Sequence, residues 1–175
     1  MSDPVLSVLY GRRSIRAYSD RLVDDTTLQQ ILEAGAFAPS GMNRQSAVMV
    51  AVQDKEVRET LRALNASIMG TPDADPFYGA PTVVIVLADK TVGTYIEDGA
   101  LVMGNLMNAA HALGVDSCWI HRAKEEFETK TGRALLAKWG LDPEKFAGIG
   151  HCILGYRACE YPDARPRKEN RIIRV

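Results

Sequence analysis

The spacing of apolar residues along the chain changes repeatedly between the period of a helix and that of a buried strand. Apolar residues three or four positions apart predict helices, at Val5–Leu9, between Asp25 and Pro39, and at Lys55–Met69, Glu97–Leu113 and Ala123–Trp139. Short continuous apolar runs predict strands, at Ala47–Val52, Thr82–Ala88, Val115–Ile120 and Gly148–Gly155. The two kinds of element therefore alternate over most of the chain.

The order of these elements leaves two fold classes open. Alternation by itself is compatible with a doubly wound parallel sheet. Against that interpretation, helices precede the first strand, and no GxGxxG turn follows an early strand. A mixed-sheet α+β fold is at least as compatible with the pattern. Because no linker, internal repeat or low-complexity stretch interrupts the chain, we predict a single domain over residues 1–175.

The predicted helix Glu97–Leu113 differs from the others because it is apolar around much of its circumference. Such a helix is expected to be buried on more than one side. Small residues are interspersed along it, and Ala100 and Gly104 lie four positions apart, which would allow a second backbone to approach closely. A helix of this kind on a small protein predicts a dimer with an apolar interface.

Composition excludes several classes of function. The formal net charge of −1 argues against a nucleic-acid-binding protein. No apolar run is long enough to span a membrane, and Met1–Pro4 lacks the features of a secretory signal. The three cysteines are an odd number without CxxC spacing, which favours reduced thiols in the cytoplasm. The histidines are too scattered for a metal motif, so we predict no metal site.

Two basic segments stand out against the nearly neutral chain. Arg12, Arg13, Ser14 and Arg16 follow the first helix, and the terminal segment 164–175 carries five basic residues against one acid. Guanidinium groups are planar donors that suit phosphate, to which a serine hydroxyl adds a further donor. Each segment alone is equally explained as solvated charge. Together they predict a shared site for a dianionic group.

A third segment, Ala38–Gln45, offers neutral donors and acceptors. It combines serine, asparagine and glutamine side chains with a glycine that allows a ligand to approach the backbone. Such groups suit a polyhydroxyl chain or the edge of a heterocycle. Considered alone, the segment is as well explained by a helix end followed by a turn.

Taken in order, these segments resemble the nitroreductase family. Residues 12–18 read R-R-S-I-R-A-Y, which matches the family's R-R-S-x-R-x-[FY], and Ala38–Gln45 matches its A-P-S-x-x-N-x-Q. Residues 104–120 are similar to the family's central helix and following strand, and residues 149–175 to its last strand and basic extension. The resemblance implies a mixed α+β fold in an intertwined homodimer, with FMN bound at the subunit interface.

The resemblance also assigns candidate FMN-binding residues. It implies that the first motif holds the phosphate, ribityl chain and pyrimidine edge, that the second motif approaches the ring from the other subunit, and that the tail grips the phosphate. Backbone amides after the 115–120 strand would face the flavin N5 side, where many relatives have glycine in place of Arg122. By motif, the residues are Arg12, Arg13, Ser14 and Arg16; Pro39, Ser40, Gly41, Asn43 and Gln45; His121 and Arg122; and Arg165 and Arg167. Asn65 is the nearest candidate for a further asparagine contact of the family.

The function that the resemblance implies is an NAD(P)H-dependent flavin oxidoreductase. Hydride would pass from NADH or NADPH through flavin N5 to a small acceptor, such as a nitroaromatic or a quinone, in a ping-pong cycle. Since the flavin carries the chemistry, no protein side chain is predicted to be catalytic. Two alternatives stay open: a protein that binds and stores FMN without turnover, and a variant of the superfamily such as a dehalogenase.

Overall fold

The computed structural model describes residues 3–175; Met1 and Ser2, which the predicted single domain includes, lie outside the described residues. Six α-helices precede or connect the strands: α1 (Pro4–Gly11), α2 (Asp25–Ala36), α3 (Lys55–Met69), α4 (Tyr95–Ala112), α5 (Ala123–Glu128) and α6 (Lys130–Lys138). The strands are β1 (Ala47–Val52), β2 (Thr82–Asp89), β3 (Asp116–Ile120) and β4 (Phe146–Gly155). A short 3-10 turn, Gly41–Asn43, which the apolar spacing did not predict, lies between α2 and β1.

The four strands form one sheet in the order β1-β2-β4-β3. Every neighbouring pair is antiparallel, so the sheet formed by the described residues is antiparallel rather than mixed. The connection through α3 explains this for the first pair, because it returns the chain to the end where β1 stops and Val52 lies opposite Val83. Outside the named strands, Ser14 and Ser117 form an isolated parallel bridge. The α+β class is confirmed.

Helices cover the sheet on both sides, and each side has its own apolar core. The central strand β2 is buried from Thr82 to Ala88, as expected for a strand covered on both faces. Its alternate side chains separate: Val83, Ile85 and Leu87 join one cluster, whereas Val84 and Val86 join the other. The second cluster includes Met103 and Leu106 of α4 and Ile31 of α2. Because alternate side chains of β2 point to opposite faces of the sheet, this one strand contributes to both apolar cores.

Helix α4 buries only one of its apolar sides within the described chain. Val102, Met103 and Leu106 are buried against the sheet, whereas Ile96 and Leu101 are 54% and 46% exposed. A Cβ atom at Gly104 would meet no other atom within 4 Å. The predicted burial of α4 on a second side is therefore not provided by residues 3–175. In the part of the chain that the structure describes, no helix is both long enough and apolar enough to cross a membrane.

The predicted continuous helix Ala123–Trp139 is wrong: the chain forms two helices that meet at Thr129. Thr129 has extended backbone angles, and its hydroxyl accepts a hydrogen bond from Gly132 N at 3.0 Å while donating to the Glu126 carbonyl at 2.7 Å. A Cβ atom at Gly132 would overlap the Glu126 carbonyl. The close approach of the two helices therefore depends on glycine, and apolar spacing alone carries no signal for it.

Candidate functional site

The segment that carries the first arginine motif runs along the edge of the sheet. Ile15 N donates to Ser117 O of β3 at 3.1 Å, and Ala158 N, beyond β4, donates to Ala17 O at 2.9 Å. Ser14 forms the bridge to Ser117. The motif is thus placed between β3 and the start of the C-terminal segment, with Ile15 fully buried beneath it. This anchoring fixes the backbone from which Arg12, Arg13 and Arg16 extend.

Two guanidinium groups of this motif have buried nitrogen atoms without acceptors. Arg13 Nη1 donates to the carbonyl oxygens of Tyr10, Gly11 and Arg12 at 2.8–2.9 Å. Arg13 Nε and Arg12 Nη1, however, are buried and have no hydrogen-bond partner among residues 3–175. An unpaired buried donor on a charged group is costly. The arrangement therefore lacks an acceptor within residues 3–175, and an anion such as phosphate would supply one.

The C-terminal segment reaches this motif through Tyr161. Its hydroxyl accepts a hydrogen bond from Arg13 N at 3.0 Å and donates one to Gly11 O at 3.0 Å. Its ring stacks on His111 with centroids 6.0 Å apart, and burial lowers the pKa of His111. Beyond this point Arg165 and Arg167 are exposed, and their side chains form no hydrogen bond or ion pair within the described range 3–175. Their contact with the first motif stays a prediction.

A cleft of about 250 Å³ opens beside the first motif, at the end of β3. It brings together Arg16, His121 and Arg122 from two distant parts of the predicted site. Cys118 also lines it, and burial raises the pKa of this thiol, so that it stays protonated at neutral pH. The remaining lining residues come from the end of α3, from the loop before β2 and from β3: Met69, Ala74, Asp75, Pro76, Tyr78, Trp119 and Ile120.

The turn after β3 is held from beneath by a buried polar network. Asn65 of α3 donates to His121 O at 2.9 Å and to Glu126 Oε1, and it accepts from Arg122 Nε at 2.9 Å. Glu126 Oε2 lies 3.2 Å from His151 Nε2, and both side chains are fully buried. That distance suits an ion pair, but the angles do not make a hydrogen bond. Asn65 is fully buried, so its amide holds the turn instead of facing the cleft.

The second motif forms a compact loop with an unusual backbone. Met42, Asn43 and Gln45 all have positive φ angles, of 51°, 53° and 48°, a conformation that residues other than glycine rarely adopt. Within the loop, Gln45 N donates to Ser40 Oγ at 2.9 Å, and Gln45 Nε2 to Asn43 Oδ1 at 3.2 Å. Such strain often accompanies binding sites. Three of the predicted residues line a cavity of about 130 Å³: Pro39, Ser40 and Gln45.

Asp98, in the first turn of α4, anchors this loop. Its carboxylate accepts hydrogen bonds from Ser46 Oγ at 2.7 Å, Gly41 N at 2.9 Å and Thr94 Oγ1 at 3.2 Å. Burial would raise the pKa of Asp98, but these hydrogen bonds outweigh it, and the net effect is a lowered pKa. A Cβ atom at Gly41 would overlap the Thr94 hydroxyl, so the approach of the loop to α4 requires glycine.

Sequence reasoning missed the residues that support the site from behind. Asp98 was interpretable as an acid favoured at a helix N-terminus, and nothing local linked it to a loop 57 residues away. His151 carries one signal, because it is an ionisable residue in the otherwise apolar run 148–155, whereas Glu126 lies among charged residues and carries none. That signal marks a buried polar contact, but it identifies no partner.

Comparison with known proteins places the chain in a family. The sequence profile of the nitroreductase family matches residues 9–156, so the chain belongs to the nitroreductase family. A provisionally named NADH dehydrogenase/NAD(P)H nitroreductase of Archaeoglobus fulgidus is 31% identical over 156 residues, which cover 86% of this chain and 84% of the relative.

Solved structures agree with this family assignment. A nitroreductase with bound FMN from Bacteroides fragilis superimposes with a TM-score of 0.89 at 29% identity, covering 99% of this chain and all of the other. A nitroreductase with bound FMN from Desulfitobacterium hafniense superimposes with a TM-score of 0.88 at 25% identity, covering all of both chains. The family prediction made from the motifs is confirmed.

Proposed function

We propose that this protein is an FMN-dependent NAD(P)H oxidoreductase. The observation that carries the proposal is the pair of buried guanidinium nitrogens, Arg12 Nη1 and Arg13 Nε, which have no acceptor within residues 3–175. They lie in a motif that resembles the phosphate-binding segment of the family, beside a cleft lined by Arg16. The FMN in two similar structures and the NAD(P)H nitroreductase name of a relative support the same conclusion.

The residues present fit FMN at both of its ends. Arg12, Arg13 and Ser14 supply cationic and neutral donors for the phosphate and the ribityl chain, joined by Arg165 and Arg167 of the tail. Arg16 lies on the cleft, where its charge would stabilise negative charge at the pyrimidine edge. At the opposite edge the turn His121–Arg122 offers backbone groups. Pro39, Ser40, Gly41, Asn43 and Gln45 would approach the ring from a second subunit.

In the reaction, the chain's own residues bind and orient. When bound, FMN would supply the redox chemistry for hydride transfer between NADH or NADPH and a small acceptor such as a nitroaromatic or quinone. Arg16 and the turn after β3, which line the cleft, would hold the ring. The Cys118 thiol, protonated and 2% exposed, packs beneath the cleft. We assign no side chain a catalytic role.

We propose that the protein works as a homodimer. Helix α1 exposes Val5, Leu6, Leu9 and Tyr10, and Ile172 and Ile173 of the tail are more than 80% exposed. Together with the open side of α4, these residues expose apolar side chains on three segments of the chain, and large exposed apolar patches mark interaction surfaces. A two-fold interface would cover them and bring the second motif of one subunit towards the cleft of the other. Light scattering at low protein concentration should give a dimer mass.

The experiment that tests the function starts from the purified full-length protein. We expect it to be yellow, with about one FMN per chain, and we expect anaerobic NADH or NADPH to bleach the flavin absorption. Bound FMN that neither nucleotide bleaches would indicate a storage protein instead. A preparation that is colourless and gives no fluorescence change with added FMN would contradict the proposal.

The reduced thiols Cys118, Cys152 and Cys159 are consistent with the cytoplasm.

A further inference from the structure

We infer that Asn65, Glu126 and His151 are positioning residues that fix the direction of the Arg122 main-chain N–H. None of the three touches the cleft, and the motifs of the family assign none of them this role. The inference rests on the proposed function only for the identity of the ligand, a flavin ring. The fixed geometry of the turn after β3 follows from the contacts within the chain.

The direction of this N–H follows from the peptide bond itself. His121 O accepts a hydrogen bond from Asn65 Nδ2 at 2.9 Å. The chain has no cis peptide bond among its described residues, and in a trans peptide the C=O and N–H groups point in opposite directions. The Arg122 N–H therefore points away from Asn65. It donates to no group within residues 3–175, and it belongs to a residue that lines the cleft.

The amide of Asn65 can hold only one orientation. Its Nδ2 faces two acceptors, His121 O and Glu126 Oε1, while its Oδ1 faces the donor Arg122 Nε. Rotation of the amide by 180° would place an oxygen against two oxygens. Since Asn65 is fully buried, no water is available to compensate for such a mismatch.

Glu126 and His151 determine that orientation. Glu126 Oε1 faces Asn65 Nδ2 as a second acceptor, and it favours the same amide orientation as His121 O. His151 Nε2 lies 3.2 Å from Glu126 Oε2 and confines this carboxyl group from its other side, and Phe77 packs on the His151 ring with centroids 5.3 Å apart. Glu126 also acts on the turn directly, because its backbone N donates to Arg122 O at 3.0 Å. Both carbonyls of the turn are thereby fixed.

This network takes the place of a glycine. Arg122 has a φ angle of 77°, in the left-handed region where side chains other than glycine are disfavoured. Arg122 Nε donates to Asn65 Oδ1, and the guanidinium also contacts Met69 Sδ at 3.2 Å. The Arg122 side chain disfavours this backbone conformation sterically, but through these two contacts it also helps to hold it. The turn keeps the shape that glycine would adopt freely.

The test uses the variants Asn65→Ala and Glu126→Gln, with Ile153→Ala as the matched control. Ile153 is fully buried on the same strand as His151, and its truncation destabilises the sheet without removing a hydrogen bond of the network. The first measurement, which needs no flavin, is the ¹⁵N order parameter of the Arg122 amide in the full-length protein. We expect a rigid value of about 0.85 in wild type and in the control, falling below about 0.6 in Asn65→Ala.

The second reading is a fluorescence titration with FMN and with riboflavin. Loss of one well-aligned contact to the ring should weaken both flavins by about tenfold in Asn65→Ala and by about threefold in Glu126→Gln, and the midpoint potential of the bound FMN should shift. In Ile153→Ala both affinities should stay within about twofold of wild type.

The outcomes separate the two proposals. An Arg122 amide that stays rigid in both network variants overturns the inference. If the Arg122 amide loosens while both flavin affinities stay unchanged, the turn after β3 has no role in flavin binding. If wild type binds neither flavin, the proposed function fails, and the order parameter still decides whether the network fixes the turn. Should Asn65→Ala fail to fold, Glu126→Gln gives the same two readings with conserved volume.

Discussion

The two halves of the proposed flavin site are built in different ways. In the inner half, which comprises Arg12–Arg16 and His121–Arg122, the backbone and the Arg122 side chain are tied to β3, α3 and α5 by hydrogen bonds within the chain. In the outer half, which comprises Ser40–Gln45 and the tail 164–175, most side chains are exposed. Only the backbone of the Ser40–Gln45 loop is anchored, through Asp98. One half is preformed, whereas the other presents groups that gain partners on assembly.

This difference has a physical reason in where each half finds its partners. The inner half lies at the edge of the sheet, where much of its backbone is hydrogen-bonded within the same chain, whereas Arg12 Nη1, Arg13 Nε and the Arg122 N–H have no partner within residues 3–175. The outer half lies on the surface, where water satisfies its polar groups until a ligand or a second subunit replaces the water. Preorganisation in the inner half lowers the entropic cost of binding, and exposure in the outer half leaves the loop and the tail available for assembly.

The largest expected effect concerns the tail. Tyr161 is fixed beside Arg13, and four extended residues span at most about 14 Å, so Arg165 starts near the first motif. If both tail arginines bind the phosphate, each charge-assisted bond contributes roughly 1.5–3 kcal/mol. The double variant Arg165→Ala/Arg167→Ala should then bind FMN about two to four orders of magnitude more weakly, as measured by fluorescence titration.

Riboflavin, which lacks the phosphate, is the control for this variant. It should bind wild type far less tightly than FMN does, and its affinity should barely change in the variant. Equal losses for both flavins would show that the tail acts through folding or dimerisation. Unchanged FMN affinity would show that Arg165 and Arg167 are solvated charge. The tail would then not belong to the outer half of the flavin site.

The anchor of the outer loop is the next target. Asp98→Ala removes the acceptor of Gly41 N, Ser46 Oγ and Thr94 Oγ1, and we expect the free energy of unfolding to fall by about 3 kcal/mol. Asp98→Asn keeps one acceptor oxygen and should lose about half as much. Urea unfolding measures both. A loss below about 0.5 kcal/mol in Asp98→Ala would mean that the loop is held by something other than this carboxylate.

The same carboxylate predicts a smaller effect of pH. Because the pKa of Asp98 is lowered below its usual value of 3.8 in the folded state, its contribution to stability is present above that pH and is lost as the pH falls through the folded-state pKa. We therefore expect the acid decline in unfolding free energy to be shallower in Asp98→Asn than in wild type. Parallel declines for the two proteins, followed by urea unfolding from pH 6 downwards, would assign the acid sensitivity to other carboxylates.

Local signals predicted most elements but not the contacts behind the site. The bounds of α3 follow from Asp54, whose side chain caps Val57 N, and from Gly70, which adopts the left-handed conformation at its end. Both signals are readable in sequence. The partners Asn65 and Glu126, by contrast, are 61 residues apart. Only the packing of α3 against α5 brings them together, and apolar periodicity does not specify which polar residues will meet.

The smallest expected effect compares the left-handed residues of the two halves. Met42, with a φ of 51°, is 84% exposed, and no hydrogen bond of its side chain opposes replacement. Met42→Gly should therefore raise the free energy of unfolding by up to about 1 kcal/mol, because glycine adopts this conformation without a steric penalty. Arg122→Gly gains the same relief but loses the 2.9 Å bond to Asn65, worth about 1 kcal/mol, and should be close to neutral. Paired urea titrations measure the difference. If Arg122→Gly proved the more stabilising of the two, the wild-type Arg122 side chain would destabilise the turn. The hydrogen bond from Arg122 to Asn65 would then contribute nothing to the stability of the inner half.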